Sequence, residues 1–96
     1  PDLNLGTAGG SSCTPALQAR LEFVLQSQGE YDSIVNGRFK GGYITRQYGD
    51  PGKGIDAVQL EISQRVYMDE GSFEWDEAKA AGIQQVLRAL LLQVLA

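Results

Sequence analysis

Residues 2–36, DLNLGTAGGSSCTPALQARLEFVLQSQGEYDSIVN, decide the fold class. Asp2 to Leu5 reads as a short strand running into a glycine- and hydroxyl-rich turn, Gly6 to Ser12. Thr14 is placed to cap a helix whose first position is Pro15, where a missing N–H costs nothing. That helix is predicted to run to about Gln28, with Leu17, Leu21, Val24, Leu25 and Gln28 on one face and Gly29 as the stop. Tyr31 to Asn36, with the apolar pair Ile34-Val35 bounded by Asn36-Gly37, reads as a second strand. Strand, helix, strand predicts a right-handed parallel crossover and an α/β architecture.

Working outward, Asn36 to Glu61, NGRFKGGYITRQYGDPGKGIDAVQLE, is the stretch around which the rest is organised. Between Arg38 and Lys53 lie Arg38, Lys40, Arg46 and Lys53 against the single acid Asp50, a local charge of +3 in a chain of net charge −4. Glycines at 37, 41, 42, 49, 52 and 54 let backbone approach a ligand closely. Tyr43 to Tyr48 mixes aromatic and β-branched residues with polar ones and reads as a short strand or an extended loop. Asp50-Pro51-Gly52 is a turn. Ala57 to Ile62 is the clearest strand, with Val58, Leu60 and Ile62 on one face and Ala57, Gln59 and Glu61 on the other. Val66 to Ser72 is a connection, and Tyr67, Phe73 and Trp75 are expected to pack in the core or at a helix entry. From about Asp76 to Leu95, the spacing of Ile83, Val86, Leu87, Leu90, Leu91, Val94 and Leu95 predicts a helix, with Glu74, Asp76 and Glu77 at its N-terminal end. The order is β-α-β-(β)-β-α, a partial mixed or parallel sheet with flanking helices.

Ninety-six residues, 43% of them hydrophobic, make one domain or part of one. The chain opens on Pro1 and enters a strand at once, so it is expected to be a segment of a larger protein. An acidic balance with one basic enclave argues against general nucleic-acid binding. No apolar run has membrane length and no targeting segment is visible. The single cysteine, Cys13, excludes an internal disulfide and suits a reducing, cytoplasmic compartment.

Glu61, near the end of an otherwise apolar strand, is either a solvent-face glutamate or an acid/base group, since strand ends are where sites form in α/β sheets. Arg46 can clamp a substrate carboxylate with its planar fork or simply face water, and the same choice applies to Arg38. Lys40 and Lys53 read as rim charges. Gly6 to Gly10 fits neither GxGxxG nor GxxxxGK[ST], so a dinucleotide or P-loop site is rejected. Cys13 at a helix start has no histidine to act as base and reads as a small buried apolar residue. Without histidine the chain cannot assemble an ordinary zinc site by itself.

The strings Leu5-Gly6-Thr7 with Ser12-Cys13, Asn36 to Arg46 (NGRFKGGYITR), Tyr48-Gly49 with Pro51, Ala57 to Glu61 and Tyr67-Met68 resemble the C-terminal part of N-formylglutamate amidohydrolases over nearly the whole chain. GRFKGGYITR is the specific piece. The resemblance implies a zinc-carboxypeptidase-like α/β hydrolase fold, of which residues 1–96 form the C-terminal segment of a single domain. It implies cleavage of N-formyl-L-glutamate to formate and L-glutamate in histidine degradation. It further implies zinc bound by His and Glu ligands upstream of Pro1, Glu61 as the catalytic acid/base, and Arg46, Arg38 and Tyr43 as binding residues for the substrate's carboxylates. Family members commonly carry histidine after the arginine where this chain has Gln47.

Two other readings stand beside it. One is a noncatalytic dicarboxylate-binding module, whose ligand binding would survive Glu61→Gln and ignore zinc. The other is a structural fragment inactive alone, whose uncovered apolar sheet surface would drive self-association or dependence on a missing N-terminal part.

Overall fold

A computed structural model describes residues 1–95. The elements are β1 (Leu3–Gly6), α1 (Pro15–Ser27), β2 (Ser33–Val35), α2 (Tyr43–Tyr48), β3 (Gln59–Ile62), β4 (Met68–Asp69), β5 (Glu74–Trp75) and α3 (Glu77–Leu95). Single 3₁₀ turns occupy Pro51–Lys53 and Gln64–Val66. The main sheet has the order β2-β1-β3, with β1 parallel to β2 and antiparallel to β3. It is therefore a small mixed sheet, and α1 makes the crossover between its parallel pair.

Register divides the sheet into two unlike faces. Directly opposed residues share a face, so Leu3 and Leu5 of β1 stand with Leu60 and Ile62 of β3 and with Val35 of β2. Leu17, Leu21 and Leu25 of α1 and Ile83, Val86 and Leu90 of α3 close over this apolar set to form the core. Both long helices thus cover one face, rather than one helix flanking each. On the opposite face lie Asn4, Gly6, Ile34, Gln59 and Glu61.

Helix α1 begins where expected: the Thr14 hydroxyl accepts from the Leu17 amide at 3.3 Å, and Pro15 takes the first position. It ends through Gln28, whose side-chain amide donates to the Leu25 and Tyr31 carbonyls while its oxygen accepts from the Glu30 and Tyr31 amides. Those four bonds satisfy a helix end and steer the chain into β2.

Two expectations are corrected. Tyr43 to Tyr48 is neither strand nor extended loop but the short helix α2. Thr45 is buried and its hydroxyl donates to the Gly42 carbonyl at 2.8 Å, closing a helical turn instead of facing a neighbouring strand. Of Tyr67, Phe73 and Trp75, expected in the core or at a helix entry, only Tyr67 packs on the core, 5.9 Å from the Trp75 ring; Phe73 and Trp75 are 76% and 57% exposed on the β4–β5 hairpin, which leads into α3.

The start of β1 is fixed by an ion pair, with Arg65 Nε 2.8 Å from Asp2 Oδ1. Burial pushes the Asp2 carboxyl up, but hydrogen bonds from Arg65 and from the Asp32 amide outweigh it and hold the group below the ordinary aspartate value. A pKa lower in the folded than in the unfolded chain stabilises the fold above the ordinary aspartate range, and that contribution is lost as pH falls through the folded value. Asp2→Asn is therefore expected to lower thermal stability at neutral pH and to converge with the parent sequence in acid. Melting curves across that range check it; equal separation at every pH refutes it.

Candidate functional site

The uncovered face of the sheet is roofed by the loop 36–42, and the sequence dictates how closely. A Cβ on Gly6 would fall 2.5 Å from the Gly41 nitrogen, so only glycine lets this loop lie on β1. The Lys40 carbonyl accepts from the Ala8 amide at 2.7 Å, the Gly42 amide donates to the Gln59 side chain, and Asn4 Nδ2 donates to the Phe39 carbonyl. At the loop's start Asn36 adopts a positive φ of 51° and knots into the glycine turn: its oxygen accepts from the Thr7 amide at 2.8 Å and the Gly9 amide at 3.3 Å, and its nitrogen donates to the Thr7 hydroxyl at 2.7 Å. Those turn amides are consumed internally and are not free to cradle an anion.

The result is an open depression of about 520 Å³ whose walls include Asn4, Ile34, Arg38, Phe39, Glu61 and Ser63. Glu61 is exposed to it from β3, and Arg38 enters from the loop with its guanidinium carbon 5.9 Å from the centre of the Phe39 ring. Stacking on an aromatic face restrains the guanidinium while leaving its fork free for a planar anion. Among the described residues Glu61 and Arg38 are not joined as an ion pair, and both line the depression. A carboxylate and a cation around one concavity can move a proton and hold an anionic ligand.

The other two site residues stand elsewhere. Arg46 lies on α2, exposed, its Nη1 donating to the Gly41 carbonyl at 3.3 Å. Tyr43, also exposed, meets Tyr48 edge to face at 6.1 Å. Neither lines the depression, although α2 grows directly from the loop that does. Lys53 is exposed, 4.0 Å from Asp50, and Cys13 is buried with its thiol pushed up by burial and then by Asp56. Asn4 and Phe39 escaped notice in the sequence. The available signal was an asparagine in the middle of an apolar strand, a residue type depleted from strands unless its amide has a partner. Among the described residues no group of three or more His, Cys, Asp or Glu side chains is arranged to hold a metal ion, and no helix is long and apolar enough to cross a membrane.

Known proteins resemble this chain in sequence and fold. The sequence is 52% identical over its whole length to an N-formylglutamate deformylase of Pseudomonas putida and 50% identical to one of Pseudomonas aeruginosa. The chain spans 36% of the length of each. The crystal structure of N-formylglutamate amidohydrolase from Ralstonia eutropha JMP134 superposes with a TM-score of 0.76 at 33% identity, covering 96% of this chain and 31% of that one. The sequence pattern of the N-formylglutamate amidohydrolases matches residues 1–68, from β1 through the depression to the start of β4, and on that match the chain belongs to the N-formylglutamate amidohydrolase family.

Proposed function

We propose that this chain supplies the acid/base group and a carboxylate-binding wall of an enzyme that hydrolyses N-formyl-L-glutamate to formate and L-glutamate. The observation that carries the proposal is the convergence of Glu61 and Arg38 on one depression, roofed by the same GRFKGG loop that carries the family resemblance. In the reaction, water oxygen bonds to the formyl carbon and the carbon–nitrogen bond breaks. Glu61 accepts the proton of the attacking water and delivers it to the departing amine nitrogen. Arg38 receives a carboxylate of the substrate. Arg46 and Tyr43, assigned by the resemblance to carboxylate binding as well, take part where α2 forms an outer wall of the site in the intact protein.

The residues of this chain do not make a zinc site: it has no histidine, and among the described residues no cluster of donors stands ready. The zinc of the proposed enzyme would draw its ligands from outside residues 1–96, in the upstream part of a zinc-carboxypeptidase-like domain of which this is the C-terminal segment, working in the cytoplasm. The apolar cleft between β3 and the end of α3, lined by Leu5, Leu21, Val58, Leu60, Leu87 and Leu91, supports a division of the domain in which further chain covers this segment. Alone, the 96-residue chain is expected to self-associate through that cleft and the exposed Leu91, Leu92 and Leu95 of α3, and to be inactive. A well-folded monomer in sedimentation, at the concentrations used for assay, contradicts this.

Formate release from N-formyl-L-glutamate by the intact protein, with and without added zinc, tests the function. Turnover supports it. Dicarboxylate binding without turnover, unchanged in Glu61→Gln, favours the noncatalytic binding module, for which the stacked Arg38 would suffice.

A further inference from the structure

We infer that Asn4 is a positioning residue of this site: its side chain ties the strand that faces Glu61 to the loop that carries Arg38, and so sets the spacing between the acid/base group and the carboxylate-binding group. The inference rests on the proposed function for its kinetic readout and on geometry for its substance.

Asn4 is 5% exposed in the central strand, between Leu3 and Leu5, which face the core. It points to the opposite face, where its register partner on β3 is Glu61 and on β2 is Ile34. Opposed residues of an antiparallel pair hold their Cβ atoms about 4.5–5.5 Å apart, so Asn4 is the nearest cross-strand neighbour of Glu61. An amide buried in a strand is costly without a partner, and an apolar residue would cover Ile34 as well. The partner is specific: Asn4 Nδ2 donates to the carbonyl of Phe39, the residue that follows Arg38. On the other side of Arg38, Gly37 passes close over the same residues: a Cβ there would stand 3.0 Å from Asn4 Oδ1 and 2.8 Å from Ile34 Cδ1. Arg38 thus stands between a residue bonded to the Asn4 side chain and a glycine whose missing side chain leaves room for it. Gly6 serves the same loop by lacking a side chain; Asn4 serves it by having one of fixed length.

The consequence is a division between kinetic constants. Releasing Phe39 frees Arg38 and its aromatic platform while leaving Glu61 on its own strand, so substrate binding suffers and the chemical step at saturation does not. Leucine at position 4 keeps the volume and removes the donor. Aspartate keeps the shape and puts an acceptor against the Phe39 carbonyl. In the intact protein, Asn4→Leu and Asn4→Asp are each expected to raise KM for N-formyl-L-glutamate about tenfold, the size of effect that follows when a part-buried carbonyl loses its donor. Under the same conditions kcat should stay within about threefold of the parent, as for a loss of binding alone.

The deciding measurement is a double-mutant cycle. Asn4→Leu combined with Arg38→Ala should bind no more weakly than Arg38→Ala alone, because the first substitution acts through the second residue. Strictly additive effects on KM, or a fall in kcat with KM unchanged, would overturn the inference and make Asn4 a general brace or a group at the reacting atoms. Calorimetric Kd for N-formyl-L-glutamate gives the same cycle where turnover is absent, so a failure of the proposed reaction remains distinct from a failure of the Asn4 assignment. Thermal melting of each variant identifies loss of folding. Should Asn4→Leu not fold, the cycle is run with Asn4→Asp, and an additive result there overturns the inference equally.

Discussion

Glu61→Gln in the intact protein should lower kcat for formate release by about 10²–10⁴-fold, the range that a positioned acid/base group supplies. Glutamine keeps the length and shape of the side chain and loses only the capacity to take up and return a proton. The Glu61 side chain is exposed and, among the described residues, makes no hydrogen bond, while its backbone pairing is unaffected by the substitution, so stability should stay within the scatter of surface substitutions, about 0.5 kcal/mol. KM should move little, because Arg38 and the loop around it are untouched. Initial rates of formate release over a range of substrate concentrations read all three expectations. A fall in kcat of less than about fivefold would remove Glu61 from the proton-transfer role, since water does not replace a positioned acid/base so cheaply.

Gly6→Ala should have the second-largest effect, on stability and on binding together. The added methyl would meet the Gly41 nitrogen at 2.5 Å, its Cα at 2.8 Å and the Lys40 carbonyl carbon at 2.8 Å. All three are backbone atoms and cannot swing aside as the end of a side chain can. Overpacking of this kind costs about 1–3 kcal/mol, and here the loop must lift from β1 to relieve it. Lifting strains the Ala8–Lys40 and Asn4–Phe39 hydrogen bonds and carries Arg38 away from Glu61. A lower denaturation midpoint accompanied by weaker binding of N-formyl-L-glutamate is expected. Gly29→Ala is the control: nothing lies within 4 Å of its Cβ position, and its midpoint should stay with the parent or rise slightly. If Gly6→Ala matched that control, the loop would not rest on the strand as described.

The contrast between these glycines shows what local sequence can convey. α1, α3 and the strand around Leu60 were legible because each repeats its apolar residues at the period of its own backbone, and the short strands around Leu5 and Ile34 because turn residues, Gly6 to Ser12 and Asn36-Gly37, mark where they end. α2 has six residues, too few for a period of 3.6 to be told from one of 2, and its first turn is held by the Thr45 hydroxyl donating to the Gly42 carbonyl and the Gly42 amide donating to the Gln59 side chain. Ala57 and Val58, expected in β3, precede it, because Ala57 turns its amide to the Ser12 carbonyl at 2.8 Å instead of to β1. Phe73 and Trp75 are apolar by type and exposed by position, a placement that hydropathy alone does not reveal. In the site, Glu61 and Arg38 were legible from charge and from the strand end. Their approach was not, because it depends on register, and neither was the separation of Arg46, which depends on α2 being a helix. Asn4 announced itself only as an asparagine in an apolar strand; what it does depends on Glu61 opposite it and on Phe39, which register and the loop bring near.

The hydrogen bond from Asn4 to Phe39 spans 35 residues of chain, and the register pair Asn4–Glu61 spans a still longer stretch. Both are non-local contacts whose loop-closure entropy must be met before they contribute anything. The depression therefore has no existence in any partly folded form that has made α1 and its flanking turns but not yet docked β3. The competence of the site therefore reports on completion of the sheet as a whole.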